Sequence, residues 1–414
     1  MNATQNIDPA AVKILSTLNE NGYEAYIVGG AVRDLYLGIE PKDYDIATSA
    51  EPQQVKKVFG RKARIIGRRF RLVHVYDGRK YYEVSTYRRE PTPEERSTRE
   101  GDDGVIIWRD NEYGSIEQDA RRRDFTVNAL FFNPLESAEI VDHVDGVRDL
   151  DEKVVRAIGD PAVRLAEDPV RILRALKLVA QYDFGLEPDL EKAVREQART
   201  IEKGSPSRLF EELLKIYNKN CTSKTFAAFH RYGLLAHYLP NLAAAWEGEP
   251  GDAISKLLSE RDRRRAKGWY SNSRTLAVMT TTIPIIAEDL GIVDFADLLS
   301  IHHGLGGMIR DSIRNAYEPL PVPKHISARA RDAILLLPQF ADTGHQNRLL
   351  HHPEYRYARE LFSLLTEVFG WDHEMVEKWP EKGKSRPGRR SRGRRRRPRG
   401  KNVRNSHNKK RDND

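Results

Sequence analysis

Cysteine is almost missing from this chain: Cys221 is the only one in 414 residues. That excludes a disulfide framework and any cysteine-rich zinc site, and it fits a reducing compartment. Long apolar runs are missing too, and none approaches the ~20 residues that cross a bilayer. The opening MNATQNIDPA lacks the basic-then-apolar order of a signal sequence. The expectation is a soluble cytoplasmic protein with no membrane partner. Acidic residues are absent from one region in particular. Between Lys382 and Arg411 there are 16 Lys/Arg and no Asp or Glu. Of the 69 basic and 61 acidic residues, 16 and 2 fall in residues 382–414, so residues 1–381 carry −6 and the tail supplies the net positive charge. A Gly/Pro/Ser/Arg block of this kind cannot bury a core and is expected to be disordered. Its natural partner is a polyanion, with RNA the best fit, and Arg394, Arg395, Arg396 and Arg397 form its densest point.

What remains is long enough for two to four domains. Up to about residue 150 short strands and helices alternate. Helices are expected over 9–21, 31–37 and 51–59, and strands over 23–28, 43–48, 64–66, 71–76, 80–87 and 125–132. Residues 90–118 (EPTPEERSTREGDDG and its flanks) read as a loop. Beyond residue 150 apolar positions recur every three and four residues, as in Ile172, Leu173, Leu176 and Val179, so helices are expected over 168–181, 188–202 and 206–218 and onward to Phe369. The expected fold is α+β: a catalytic head with a single small mixed or antiparallel sheet over 1–150, a helical neck over 151–245, a helical body over 246–380 and the tail from 381.

The chemistry concentrates in Gly29–Ala50 (GGAVRDLYLGIEPKDYDIATSA). Asp43 and Asp45 stand two apart on an expected strand, so their carboxylates share a face. Two carboxylates side by side repel unless a cation joins them, and Mg²⁺ is the hard cation suited to an oxygen site that also takes phosphate. The Gly29-Gly30 turn opening a helix offers backbone N–H groups to a triphosphate, and Arg33 can grip a phosphate beside it. Arg123 is a second phosphate or sugar contact. A site holding two such cations needs a third carboxylate to complete its cage. Glu83, on its strand, and Asp124, at the end of Arg122-Arg123-Asp124, are both open for that place. In E-D-P-V-R-I-L-R the residues Asp168, Arg171 and Arg174 are spaced by three, so on a helix they share a face, where a carboxylate and a guanidinium can read the edge of adenine.

These pieces, in this order, resemble the nucleotidyltransferase superfamily of DNA polymerase beta, and within it the branch of bacterial poly(A) polymerases and CCA-adding tRNA nucleotidyltransferases. The resemblance puts the metal-binding aspartates of G-G-x-V-R-D…D-x-D on Asp43 and Asp45, the R-R-D element on Arg122, Arg123 and Asp124, and the strand glutamate on Glu83. It puts the nucleotide-selecting E-D-x-x-R motif on Asp168 and Arg171, with Lys177 where the pattern continues with arginine. The segment Gly67–Val75, G-R-R-F-R-L-V-H-V, resembles the poly(A) polymerase side, as do Leu349–Leu365 and the basic tail, and its Arg68, Arg69 and Arg71 are expected RNA contacts. The implied activity is template-independent addition of AMP from ATP to RNA 3′ ends with Mg²⁺. The implied partners are RNA, ATP and RNA-decay proteins, and the expected state is a monomer. The rivals are a CCA-adding enzyme, which shares every catalytic element, and a non-catalytic RNA-binding protein on a decayed head.

Overall fold

The computed structural model describes residues 7–67, 71–90, 112–269, 273–342 and 346–381. Arg68, Arg69, most of the expected 90–118 loop and the basic tail with Arg394–Arg397 lie outside the described residues. The head begins with α1 (Pro9–Glu20), whose N-cap Asp8 accepts from the Ala10 N–H at 3.0 Å and whose Ile14, Leu15 and Leu18 are buried. It continues with β1 (Ala25–Val28), α2 (Gly30–Tyr36), β2 (Asp45–Thr48), α3 (Pro52–Phe59), β3 (Ala63–Ile66), β4 (Leu72–Asp77) and β5 (Lys80–Thr86). After α4 (Ile116–Arg121) come β6 (Leu130–Phe132), β7 (Ile140–Asp142) and α5 (Gly146–Asp151).

The sheet is larger than the small one the sequence suggests. Among the described residues it has seven strands in the order β3-β4-β5-β2-β1-β6-β7. It is mixed, because β2 pairs parallel to β5 while its other neighbours run antiparallel. A second sheet, of β8 (Val154–Val155) and β9 (Gly185–Leu186), replaces the expected single one. The expected strand 125–132 is a strand only in its last three residues. Its first half is a 3₁₀ turn, Thr126–Asn128, held by the Thr126 hydroxyl on buried Asp149 at 2.7 Å. An apolar run alone cannot distinguish these cases.

Alternation along β4 and β5 divides the sheet into two faces. Val73, Val75, Tyr82 and Val84 pack in the main core with α1, and the Tyr82 hydroxyl reaches Asp8 at 2.8 Å. The opposite face carries Asp45 and Glu83, and a smaller cluster of Val28, Ala47, Tyr87 and Phe131 covers its other end.

The chain then turns helical. It forms α6 (Pro161–Glu167), α7 (Val170–Tyr182), α8 (Pro188–Gln197) and α9 (Pro206–Tyr217), then further helices among which Pro250–Ala266, Arg274–Asp289 and Tyr355–Phe369 are the longest. The sequence expectation of one helix from Asp168 is corrected. Asp168 precedes Pro169, which disfavours the α region, and it takes φ −146°, ψ 94° at the end of α6. The amphipathic stripe holds: Ile172, Leu173 and Leu176 are at most 1 % exposed, and Val179 is half-buried against the same core. No helix among the described residues is long and apolar enough to cross a membrane.

Candidate active site

β1 ends at Val28 and the chain turns at Gly29 with φ +68°, ψ −126°, a conformation that glycine alone adopts without strain. A Cβ there would also approach the Arg123 guanidinium at 3.3 Å. The turn opens a cavity of about 280 Å³ lined by Gly29, Gly30, Arg33, Asp45, Arg123, Asp124 and Arg174, all singled out in the sequence. Asn128, Lys177, Gln181 and Lys219 line it too, and of these only Lys177 carries a sequence signal, its departure from arginine. A larger cavity, about 1240 Å³, lies on the far face of α9 against helix Gly306–Ala316, and holds none of the residues singled out in the sequence.

β2 starts at Asp45, so Asp43 sits in the segment just before it instead of on the expected strand. The parallel pair Ile46–Val84 sets Asp45 beside Glu83, each one residue earlier on its strand. Asp45 is open to solvent, yet its carboxyl is pushed up to about 6. Desolvation by the surrounding protein contributes most, followed by the Glu83 and Asp43 carboxylates, against the lowering pull of Arg123. Among the described residues no preformed group of three or more His, Cys, Asp or Glu is arranged to hold a metal. The mutual repulsion of these oxygen donors nonetheless suits a hard divalent cation.

The guanidiniums are held by partners. Arg33 is buried, pairs with Asp34 at 2.8 Å, donates to Asn128 Oδ1 and the Tyr182 hydroxyl, and lies 4.4 Å from the Tyr182 ring centre. Arg123 forks onto Asp119 at 2.9 and 3.1 Å, and Arg122 reaches the same carboxylate at 3.3 Å. Burial works to raise Asp119, but the two arginines outweigh it and hold the carboxyl below its ordinary value. Asp124 is not paired with its own arginines. Its ion pair is with Arg174 of α7 at 3.5 Å, and Arg174 also faces Glu212 of α9 at 3.8 Å. Burial lowers the pKa of Lys177 and of Lys219. Lys219 stands at the end of α9, and no local motif marks it.

Asp168, Arg171 and Arg174 do not converge as their spacing suggests. Asp168 accepts from Arg208 of α9 at 2.7 Å, and Arg171 pairs with Glu167 at 3.0 Å and donates to the Arg164 carbonyl. Of the three, only Arg174 lines the cavity. Arg71 is exposed just before β4, with its carbonyl accepting from Arg88 at 3.0 Å.

Residues 25–156 match the family model "Poly A polymerase head domain", and residues 183–245 match "Probable RNA and SrmB- binding site of polymerase A". Poly(A) polymerase I of Haemophilus influenzae is 35% identical over 377 residues, 89% of this chain and 83% of the relative. Poly(A) polymerase I of Escherichia coli O157:H7 is 35% identical over 375 residues, 88% of this chain and 79% of the relative. A CCA-adding enzyme of Streptococcus suis is 40% identical over 260 residues, 61% of this chain and 59% of the relative. In fold, the chain resembles the crystal structure of the Bacillus stearothermophilus CCA-adding enzyme in complex with CTP, with TM-score 0.62 and 24% identity over 90% of this chain and 82% of that one. A seven-stranded nucleotidyltransferase head, a helical remainder and similarity over 89% of the chain together make this chain an enzyme of the poly(A) polymerase family, in the branch of nucleotidyltransferases that also holds the CCA-adding enzymes.

Proposed function

We propose that this enzyme extends RNA 3′ ends with AMP from ATP, without a template and with release of pyrophosphate. The supporting observation is the reach of the similarity: 375–377 residues to poly(A) polymerases against 260 to the CCA-adding relative. In this reading the 3′-oxygen bonds to the α-phosphorus of ATP as the bond to the β-phosphate oxygen breaks. Asp43 and Asp45 would hold two Mg²⁺ ions, whose chemistry when bound is to favour ionisation of the 3′-hydroxyl and to neutralise the departing pyrophosphate. Glu83 is the third carboxylate, since it stands beside Asp45 and raises its pKa, while Asp124 is tied to Arg174.

Arg33, Arg123, Lys177 and Lys219 would bind the triphosphate, whose charge relieves the crowding of the five cations, Arg174 included, that line the pocket. Asp168 and Arg171 would select adenine, a role that requires them to exchange Arg208 and Glu167 for the base. RNA would run from the site over the 183–245 region and the basic tail, with residues 1–150 as catalytic head, 151–245 as neck and 246–380 as body. The purified protein with Mg²⁺ and a generic RNA, or a tRNA lacking its CCA end, decides the activity when ATP alone, CTP alone or both are supplied. Long tails on generic RNA with ATP alone are expected. Addition confined to the tRNA, dependent on CTP and ending after three nucleotides, would make it the CCA-adding enzyme.

A further inference from the structure

The open face of the sheet continues past the carboxylates. Cross-strand partners share a face, so the pairs His74–Glu83, Tyr76–Tyr81 and Arg64–His74 set Arg64, His74, Tyr76 and Tyr81 on the side that carries Asp45 and Glu83. Tyr81 is 52% exposed and Tyr76 36% exposed, large aromatics paired one step from the Asp77–Lys80 end of the β4–β5 hairpin. They are not scattered. The His74 ring stacks on Tyr81 with centroids 4.2 Å apart at 22°, and Tyr76 stands 6.1 Å from Tyr81 and 6.3 Å from His74. His74 in turn approaches Glu83 at 3.6 Å. One row therefore leads from the catalytic carboxylates through His74 to an exposed tyrosine pair, with the Arg64 cation on the neighbouring strand.

The geometry points to a stacking platform for single-stranded RNA: bases just upstream of the reacting 3′ end lie on Tyr81 and Tyr76 while Arg64 meets the backbone. Three features select this occupant. His74 covers one face of the Tyr81 ring and fixes it, which leaves the other face for a flat ligand. Every base has a π-face, so aromatic stacking holds RNA of any sequence, as template-independent extension requires. Tyr81 lies two residues along β5 from Glu83, about 7 Å of strand rise, which is within one or two nucleotides of a 3′-hydroxyl at Asp45. An exposed aromatic sheet face is also a known way of gripping unpaired bases.

The proposal rests on the reading of this site as an RNA 3′-end transferase, but its test needs no catalysis. A 3′-deoxy RNA carrying 2-aminopurine one or two positions from its end is titrated with the full chain in the absence of ATP. Stacking on tyrosine quenches the fluorophore. In Tyr81→Ala the quench is expected to disappear and RNA affinity to fall at least about five-fold, the low end for one base on an aromatic ring. Tyr81→Phe keeps both, and the KM for ATP is unchanged in either variant. An unaltered quench in the Tyr76→Ala, Tyr81→Ala double variant overturns the proposal and leaves the patch to a protein partner. Loss of the quench in Tyr81→Phe as well as Tyr81→Ala overturns it too, because stacking does not need the hydroxyl. A chain that proves to add CMP and AMP to tRNA alone would refute the activity proposed above while these titrations still decide the platform.

Discussion

The Arg33 guanidinium lies 4.4 Å from the centre of the Tyr182 ring and also receives the support of that residue's hydroxyl. Arg33 follows the glycine turn of the head, and Tyr182 ends the helix that leaves Asp168. The same hydroxyl donates to Asp34 at 2.6 Å. One side chain therefore orients the cavity-lining Arg33 and ties the head to the helix that follows it.

Tyr182→Phe should lower stability by about 1.5–3 kcal/mol, the range for hydrogen bonds to charged groups, because it removes bonds to Arg33 and Asp34 while keeping the ring. The KM for ATP should rise as Arg33 loses its anchor. Denaturant unfolding and steady-state kinetics measure the two effects. An unchanged KM for ATP would mean that Asp34 and Asn128 alone position the guanidinium.

Replacing either aspartate of the pair with alanine should abolish nucleotide addition and leave the fold intact. Each change removes a carboxylate proposed to hold metal and relieves the mutual repulsion of Asp43 and Asp45, so apo stability should be unchanged or slightly higher. Activity retained by Asp43→Ala or Asp45→Ala at saturating Mg²⁺ would refute the two-metal reading.

Asp45, pushed up to about 6, gives a pH signature. Its folded pKa lies above the unfolded value of about 3.9, so the native chain binds this proton more readily. Its contribution to stability is therefore most favourable at low pH and declines as pH rises from about 4 to about 6. Asp45→Asn should raise the apo melting temperature at pH 7 more than at pH 4. In the wild type at limiting Mg²⁺, addition should fall off below about pH 6 as protons compete for the carboxylate. Raising Mg²⁺ should move that midpoint downward, and a midpoint insensitive to Mg²⁺ would assign it to another group.

Asp168→Ala and Arg171→Ala should raise the use of CTP and GTP relative to ATP. A uniform loss for all four nucleotides in competition assays would mean that the Asp168–Arg208 and Arg171–Glu167 pairs only brace α7.

Deleting residues 382–414 should weaken RNA binding and flatten its salt dependence, with addition to a saturating short primer preserved. The slope of log affinity against log salt is roughly −0.7 per phosphate neutralised on a single strand. With 16 cations in the tail, losing even a few contacts is measurable. Equal slopes for the full-length and truncated chains on a long RNA would remove the tail from the RNA interface.

Local chemistry was written plainly in the chain. Gly29 occupies a positive-φ turn that glycine alone fills without strain, and Asp43 raises the pKa of Asp45 with only Tyr44 between them. The stripe of Ile172, Leu173 and Leu176 announced a buried helix face, since periodicity and burial are properties of consecutive residues. The segregation of positive charge into the tail is likewise a fact of sequence. Contacts between distant segments were not legible. Glu83 gained its place beside Asp45 through a parallel pairing of β2 with β5, and Asp124 found Arg174 instead of its own arginines. Lys219 enters the cavity only because α9 folds back against α7. Even the local triple Asp168, Arg171 and Arg174 was divided, because Pro169 keeps Asp168 out of the helix and Arg208 then claims its carboxylate. Spacing dictates which side chains share a face within one element. Which elements meet, and so which charges find partners, is decided by burial of the sheet and helix faces together, and that exists only in the folded chain.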